Sequence, residues 1–275
     1  MNTLILGNGW LGQMLYKYLS SKSIDVGFYT EKLKTGWDIP ESGWSNADVV
    51  INTIAKTNID WCEQNKVHAF FTNTTLALQL AQRCVVSQKQ YVFFSSACIF
   101  QSRDINDIKY EDSEPNPACF YSKTKALAEE LIREANPSTL IIRPRLPISE
   151  VPHPRNTINK VLLYLKLHDN QESVTVVEDM FPILLKLIQD KKSGAFNIVN
   201  SGTISPAQIA DAFNHPYEKF SKDDEVGQMK NEGRAIRVTT IADSRRLSPL
   251  PDIRERMNEI VKVYNSHLYY FYELL

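Results

Sequence analysis

Short apolar runs alternate with segments of helical periodicity along the first 150 residues. Runs typical of buried strands stand at residues 3–7, 24–30, 47–55, 90–96 and 139–145. Between them, segments at 10–22, 66–84 and 122–135 show helical periodicity. Strands and helices that alternate in this way predict a parallel sheet covered on both faces, which is an α/β, doubly wound Rossmann fold.

The pattern loosens after Pro144. Helices are predicted at 154–167, 180–192 and 205–213 and from about residue 252, strands at 173–177 and 194–200, and a charged surface loop or insertion at 217–234. We therefore expect residues 1–150 to form an NAD(P)-binding Rossmann domain. Residues 151–275 are expected to form mainly a smaller C-terminal substrate-binding lobe that is interwoven with the Rossmann body.

The formal net charge of −1 gives no electrostatic case for binding nucleic acid or an anionic membrane. The start of the chain does not resemble a signal peptide, and no apolar run approaches the roughly 20 residues that span a bilayer. The chain has four cysteines, Cys62, Cys84, Cys98 and Cys119, without the spacing of a metal site. We therefore predict no metal site, reduced thiols and a cytoplasmic protein.

A glycine-rich loop follows the first predicted strand and opens the first predicted helix. Its glycines, Gly7, Gly9 and Gly12, form the pattern G-x-G-x-x-G. Glycines at this spacing allow a tight turn and a close approach of the backbone to a pyrophosphate, which the helix N-terminus also favours. The sequence thus predicts a dinucleotide-binding loop formed by Gly7, Asn8, Gly9, Trp10, Leu11 and Gly12.

The end of the second predicted strand bears on which dinucleotide binds. Glu31 lies about 20 residues beyond the glycine loop, where an acid would bind a ribose 2′-hydroxyl and favour NADH. Thr30, Lys32 and Lys34 could instead hold a 2′-phosphate, or all these side chains could simply be solvated. The balance favours NADPH, with NADH as the alternative.

Tyr121 and Lys125 lie one helical turn apart and therefore share a helix face. An ammonium near a phenol is expected to lower the phenol pKa from about 10, so that the tyrosine can exchange a proton with a carbonyl oxygen during hydride transfer. Ser96, at the carboxyl end of a predicted central strand, would bind the same oxygen. The combination predicts a hydride-transfer enzyme.

These motifs together resemble the extended short-chain dehydrogenase/reductase family over nearly the whole chain. One departure is the glycine loop, because the family usually has G-x-x-G-x-x-G, which is one residue longer. The resemblance places Asn73 behind the active site. It also implies further cofactor-binding positions at Asp38, Ile39, Thr53, Ile54, Ala55 and Pro144.

A narrower resemblance joins the segments IDWCE, CIF, FYSKTKALAEELI, RPRLPIS and PRNTINK. Together they look like the bifunctional nucleotide-sugar 3,5-epimerase/4-reductases of rhamnose synthesis, which act on a nucleotide-linked 4-keto-6-deoxyhexose. Simpler dTDP-4-dehydrorhamnose reductases typically carry S-T-D-Y-V-F where this chain has S-S-A-C-I-F. The resemblance implies Cys98 and Lys160 as an epimerising acid/base pair. Candidate substrate-binding residues are Thr57, Asn58, Ser96, Ala97, Cys98, Arg145, Asn156 and Lys160.

Epimerisation chemistry suits a thiol and a lysine. A ketone at C4 acidifies the hydrogens at C3 and C5, and inversion removes one proton and returns another to the opposite face. Both steps need groups whose pKa can move toward neutrality, as those of a thiol and a desolvated lysine can. Donors from Ser96 and Tyr121 would stabilise the enolate at O4 before reduction.

Other interpretations remain open at this point. Cys98 could be a small core hydrophobe and Lys160 a solvent-facing side chain, which would make the chain a plain nucleotide-4-keto-sugar reductase without epimerase activity. A noncatalytic NADP-binding regulatory subunit is the third alternative. UDP is slightly favoured over dTDP as the nucleotide. Family likeness suggests a homodimer through the helices at 66–84 and 121–135.

Overall fold

The computed structural model of the 275-residue chain describes residues 1–220 and 235–272, and only the backbone of 268–272. Strands in the described part are β1 (Asn2–Leu6), β2 (Asp25–Tyr29), β3 (Val49–Asn52), β4 (Gln90–Phe94), β5 (Leu140–Arg143), β6 (Pro147–Ile148), β7 (Lys166–Leu167), β8 (Thr175–Val176), β9 (Gly194–Asn197), β10 (Asn200–Ser201), β11 (Glu218–Lys219) and β12 (Leu250–Asp252). Helices there are α1 (Trp10–Ser21), α2 (Glu41–Trp44), α3 (Ile59–Gln64), α4 (Lys66–Phe70), α5 (Leu76–Val86), α6 (Phe120–Ala135), α7 (Thr157–Val161), α8 (Val177–Gln189), α9 (Pro206–Ala212) and α10 (Ile253–Tyr272). A π-helical segment, Phe71–Thr75, joins α4 to α5, and a 3₁₀ turn, Ala97–Ile99, follows β4.

The main sheet has six strands in the order β2-β1-β3-β4-β5-β9 and is parallel, as predicted. Every residue of β3 and β5 is buried, since helices leave neither face of these strands to solvent. The carboxyl ends of parallel strands meet at one edge, which is where ligands bind in open α/β sheets. The doubly wound fold predicted from the sequence is confirmed.

The chain divides into two compact units. The sheet unit comprises residues 1–99, 115–143 and 181–196, and its core packs strand residues such as Leu6, Val50, Phe93 and Ile141 against Leu80 and Ile132 of helices α5 and α6. The lobe unit comprises residues 100–114, 144–180 and the described part of 197–275. Its core is built partly on α10, whose buried residues recur at helical spacing: Ile253, Met257, Ile260 and Tyr264.

The predicted helix at 154–167 is wrong over its second half. Helix α7 ends at Val161, and residues 166–167 form β7, which pairs in parallel with β11. The backbone N–H groups of Glu218 and Phe220 donate to the carbonyls of Leu165 and Leu167, at 2.7 and 3.2 Å. A partner about 50 residues along the chain therefore overrides the local helical pattern.

Two other predictions concern the outer parts of the fold. Most of the charged segment predicted at 217–234 lies outside the described residues, apart from β11 and its neighbours. Within the described part, no helix combines the length and the apolar character that crossing a bilayer requires.

Two glycines of the loop are required by packing. Gly7 has φ +108°, a conformation that other residues rarely adopt, and its N–H donates to the carbonyl of Tyr29 at 3.1 Å. A β-carbon on Gly12 would lie 2.3 Å from the Gly7 carbonyl oxygen and 2.7 Å from Thr53 Oγ1. Gly9, in contrast, faces open space at the N-cap of α1.

We predict that Gly12→Ala lowers the free energy of unfolding by about 1–3 kcal/mol, because the backbone around Gly7 must move to admit the methyl group. Gly9→Ala is the matched control and should cost less than about 1 kcal/mol, the scale of a lost N-cap preference. Denaturant unfolding of both variants measures the difference. Equal losses would show that packing under the loop does not require Gly12.

Candidate functional site

The glycine loop leaves a cradle at the N-terminus of α1. Thr53 Oγ1 donates to the carbonyls of Leu6 and Gly7, at 2.8 and 3.2 Å, and so fixes the loop beneath the helix. The N-cap residue Gly9 has no side chain to cap the first helical turn, and that turn carries no acidic residue. Such a turn suits a diphosphate, because its N–H groups and its dipole favour negative charge.

The first residues after β2 are exposed at the carboxyl end of that strand. Thr30 and Lys32 are exposed, while the Glu31 carboxylate accepts a hydrogen bond from the Tyr29 hydroxyl at 3.3 Å. Asp38 closes its own loop, accepting from the backbone N–H groups of Lys34 and Thr35 at 2.6 and 2.8 Å.

These bonds, with the Thr35 hydroxyl, hold the pKa of Asp38 below its usual range. The Ile39 side chain is buried in the core of the sheet unit.

Helix α6 carries three buried polar residues on one face, Tyr121, Lys125 and Glu129, each one turn from the next. Its N-terminus is fixed by Glu63 of α3, whose carboxylate accepts the N–H of Phe120 at 2.6 Å. At the other end of the face, the Glu129 carboxylate forms a two-pronged ion pair with Arg143 of β5. These contacts fix both the position and the rotation of the helix against the sheet.

Lys125 is fully buried. Its ammonium donates to the carbonyl of Phe94, the last residue of β4, at 2.6 Å and lies 4.1 Å from the centre of the Phe93 ring. Desolvation lowers the pKa of Lys125 to about 7, although Glu129 and Cys98 oppose the shift. The buried lysine therefore holds its proton less tightly than an exposed lysine does.

Asn73 links α6 to the loop after β3. From the π-helical segment, its side chain accepts the N–H of Lys56 at 2.8 Å and donates to the carbonyl of Lys56 and to the hydroxyl of Thr124, both at 3.1 Å. Thr124 Oγ1 in turn donates to the carbonyl of Tyr121. The place of Asn73 behind the active site stays a prediction. These bonds show that its side chain contacts the helix that carries Tyr121 and Lys125.

Ser96, Cys98 and Tyr121 form one hydrogen-bonded group. Ser96 follows β4, and its Oγ lies 2.8 Å from Cys98 Sγ, where either atom can donate. The N–H of Cys98 also points to Ser96 Oγ at 3.3 Å, within the 3₁₀ turn. A side-chain hydrogen bond joins Ser96 to Tyr121. The serine hydroxyl thus touches both the thiol and the phenol.

The expected lowering of the Tyr121 pKa is not observed. Burial raises the pKa of this phenol well above 10, and the nearby Cys98 sulfur adds to the rise, while the hydrogen bond from Ser96 opposes it. The reason is that the Lys125 ammonium is directed at the Phe94 carbonyl and is itself desolvated. Tyr121 in this structure is a phenol ready to donate a proton.

Lys160 lies in α7 of the lobe unit, and its side chain is exposed. Partial desolvation of its ammonium nevertheless lowers the pKa of Lys160, and the nearby Arg155 guanidinium lowers it further. Asn156, the fully buried N-cap of α7, donates to the carbonyls of Ser149 and Val151, at 2.8 and 3.1 Å, and accepts the N–H of Ile158. With both amide hydrogens used, Asn156 holds the loop rather than offering donors to a sugar.

The remaining predicted site residues have mixed surroundings. Arg145, a predicted substrate-binding residue, forms an ion pair: its guanidinium is 2.6 Å from the Glu172 carboxylate. Asn58 caps α3, accepting the N–H of Trp61 at 3.0 Å. Thr57 is exposed, whereas the last group is partly or fully buried around the strand ends: Ile54, Ala55, Ala97 and Pro144.

Sequence reasoning missed the supports of α6. Glu129 repeats the four-residue spacing of Tyr121 and Lys125, so that spacing was a usable signal for it. Glu63 gave no comparable signal, because its contact with Phe120 spans 57 residues of chain. In the described residues, no group of three or more His, Cys, Asp or Glu side chains could hold a metal ion.

Comparison with known proteins places this arrangement in a family. Residues 1–234 match the family model described as the RmlD substrate binding domain. The chain belongs to this family. It is 30% identical over 224 residues to the bifunctional dTDP-4-dehydrorhamnose 3,5-epimerase/dTDP-4-dehydrorhamnose reductase of Arabidopsis thaliana, a match that covers 77% of this chain and 74% of the relative. The predicted resemblance is therefore confirmed.

Two solved structures share the fold over nearly all of the chain. The L780 UDP-rhamnose synthase from Acanthamoeba polyphaga mimivirus aligns with a TM-score of 0.84 and 24% identity, covering 95% of this chain and 99% of that one. The dTDP-4-dehydrorhamnose reductase of Bacillus anthracis, solved with NADP, aligns at 0.79 and 19% identity, covering 94% and 99%.

We predict that burial of Lys125 makes stability depend on pH. Since the pKa of Lys125 falls from 10.5 to about 7 on folding, the unfolded chain holds more protons between these values. The free energy of unfolding of the wild type should therefore rise relative to Lys125→Met from pH 7 to 9, by up to about 1.4 kcal/mol per pH unit.

Denaturant unfolding at pH 7, 8 and 9 measures this difference, with Lys123→Met, an exposed lysine of the same helix, as control. The control should follow the wild type at every pH. A difference between wild type and Lys125→Met that stays constant over this range would contradict the assignment.

Proposed function

We propose that this protein is a nucleotide-4-keto-6-deoxyglucose 3,5-epimerase/4-reductase that makes an L-rhamnose-type nucleotide sugar with NADPH. The chain is an enzyme of nucleotide-sugar metabolism. The observation that carries the finer proposal is the group formed by Ser96, Cys98 and Tyr121, in which the serine contacts both the thiol and the phenol. A plain reductase needs the serine and the tyrosine but has no use for the thiol.

The glycine cradle supports a dinucleotide cofactor. Gly7 and Gly12 admit no side chain, Gly9 leaves the approach open, and the first turn of α1 has no side-chain cap to compete with a diphosphate. Exposed Thr30 and Lys32 suit the 2′-phosphate of NADPH, while NADH remains the alternative. The B. anthracis reductase was solved with NADP, which agrees with this choice. The cofactor's contribution to the chemistry is the hydride for C4.

Reduction uses the protonated phenol of Tyr121. Burial keeps Tyr121 protonated, and the proton can move to the C4 oxygen because that oxygen becomes a stronger base as it gains charge. Ser96 orients the phenol through their hydrogen bond. Lys125, held on the Phe94 carbonyl, would in its protonated form stabilise the negative charge that Tyr121 gains as it gives up its proton.

Epimerisation uses Cys98, with Lys160 as its proposed counterpart. One group removes a proton from C3 or C5, electrons move onto O4 as an enolate, and the other group returns a proton to the opposite face. Ser96 and Tyr121 would stabilise the enolate oxygen with the same hydrogen bonds that serve reduction. Partial desolvation and Arg155 lower the pKa of Lys160, which is the direction that favours proton exchange by a lysine.

The nucleotide is proposed to be UDP, with dTDP as the alternative. The mimivirus protein of the same fold is named as a UDP-rhamnose synthase, whereas the Arabidopsis relative is named for dTDP-4-dehydrorhamnose. Incubation with UDP- and dTDP-4-keto-6-deoxyglucose in the presence of NADPH, with products assigned by NMR, tests the function and the nucleotide together.

We predict that Tyr121→Phe folds normally but reduces C4 at least about 100-fold more slowly, the usual scale for a positioned proton donor. Oxidation of NADPH with a substrate epimerised beforehand provides the measurement. Tyr16→Phe, which keeps the ring stacked on Phe28, is the control and should match the wild type. Near-wild-type turnover by Tyr121→Phe would remove this tyrosine from the mechanism.

Cys98→Ala and Cys98→Ser should block proton exchange while leaving C4 reduction intact. In deuterated water the wild type should place deuterium at both C3 and C5, and either variant should lose label at one or both carbons. Serine should behave like alanine, since its hydroxyl has a pKa far above neutral.

NMR of the sugar product reports the label, and a substrate epimerised beforehand reports the reductase step. Cys84→Ala is the matched control. It removes a buried thiol of α5 and should retain both activities. Wild-type labelling by either Cys98 variant would remove Cys98 from the exchange step, and absence of label in the wild-type product would make this protein a plain reductase.

A further inference from the structure

Hydrogen bonds close the loop that leads into α7. Asn156 binds the backbone of Ser149 and Val151 with its amide, and Ser149 Oγ accepts the N–H of Val151 at 3.1 Å. His153 extends this set of bonds, because its N–H donates to Asn159 Oδ1 at 2.8 Å and its carbonyl accepts the N–H of Asn156. These bonds therefore connect the loop to the helix that carries Lys160.

The Glu178 carboxyl group anchors this loop to α8. Ser149 Oγ donates to Glu178 Oε1 at 2.6 Å. Glu178 lies in the first turn of α8, where a negative charge is favoured by the helix dipole. It thus holds Ser149, the first residue after β6.

The charges around Glu178 come from three elements of the lobe unit. Glu150, from the loop, opposes ionisation of Glu178, and burial acts in the same direction, so the pKa of Glu178 is raised. Arg256 of α10 neutralises Glu150 and also binds Asp179, the neighbour of Glu178, at 3.2 Å. The carboxylates of Glu150 and Asp179 thus share the Arg256 guanidinium, while the Glu178 carboxyl accepts a hydrogen bond from Ser149 of the loop.

The loop also affects the pKa of Lys160. Arg155 belongs to the loop, and its N–H donates to His153 Nδ1 at 3.0 Å. Its guanidinium is the charge that, together with desolvation, lowers the pKa of Lys160. A loop that loosened would move the Arg155 charge away from the Lys160 ammonium.

We propose that Glu178 is a positioning residue for Lys160: by holding Ser149 it fixes the loop, which sets both the N-cap of α7 and the place of Arg155. This inference rests on the proposed function, in which Lys160 exchanges a proton with the sugar. Glu178 itself acts only through the loop.

The test removes the anchor and measures Lys160 in two ways. In Glu178→Ala, and in Ser149→Ala as a second variant, incorporation of deuterium from solvent into the sugar should slow about tenfold or more, as expected when a reacting group loses its position. Reduction of a substrate epimerised beforehand should stay at the wild-type rate. Glu178→Gln keeps an acceptor for Ser149 and should restore most of the exchange.

The second measurement does not depend on activity. Proton titration of Lys160, followed by NMR of labelled lysine, should show its pKa rising toward the usual 10.5 in Glu178→Ala and Ser149→Ala. The pH profile of deuterium exchange should shift upward with it. Asp190→Ala is the matched control, since it removes an exposed carboxylate just beyond α8 that pairs with Lys186, and it should change neither readout.

The two proposals fail in different ways. If a folded Glu178→Ala protein has a wild-type exchange rate and an unshifted Lys160 titration, the positioning role is wrong, whatever Lys160 does. If Lys160→Ala itself exchanges deuterium normally while the Lys160 titration still shifts in Glu178→Ala, the anchor acts as inferred but the epimerising role of Lys160 is wrong.

Discussion

The candidate site depends on one costly feature, the complete burial of the Lys125 ammonium. A buried charge is strongly disfavoured unless neighbours replace its lost water. Here the Phe94 carbonyl and the Phe93 ring do so, and the pKa of Lys125 still falls to about 7. Because both neighbours belong to β4, the lysine ties α6 to the end of that strand, where Ser96 follows.

The rest of the sheet unit keeps α6 in the rotation that this contact requires. Glu129 and Arg143 form a buried ion pair one turn beyond Lys125, Glu63 fixes the first turn, and Asn73 joins Thr124 to the loop after β3. The amide of Asn73 comes from a π-helical segment, a local widening that is frequent at functional sites. Glu129 also pairs with Arg133 at 2.5 Å, so its buried carboxylate joins α6 to β5 through a three-membered charge network.

Placement of the thiol explains how one group of side chains could serve two reactions. Cys98 follows Ser96 by two residues within a tight turn, which brings its sulfur to the serine hydroxyl, and the same hydroxyl meets Tyr121. In the proposed mechanism, the thiol that exchanges a proton and the phenol that donates one would therefore share one neighbour. Any charge that develops on the substrate oxygen near Ser96 would be felt by both, which suits an enolate intermediate that is later reduced.

The sequence by itself determined the sheet, the glycine loop and the grouping of Ser96, Tyr121 and Lys125. These follow from local chemistry: alternating strand and helix patterns, a tight turn that requires glycines, and residues one helical turn apart. The tertiary structure decided what depends on distant partners. The segment after Val161 is not helical because β11 pairs with it, and Asn156 is an anchor because the loop folds back on Ser149. The pKa of Tyr121 rises rather than falls, since burial and the direction of the Lys125 side chain are set by packing that no spacing along the chain can reveal.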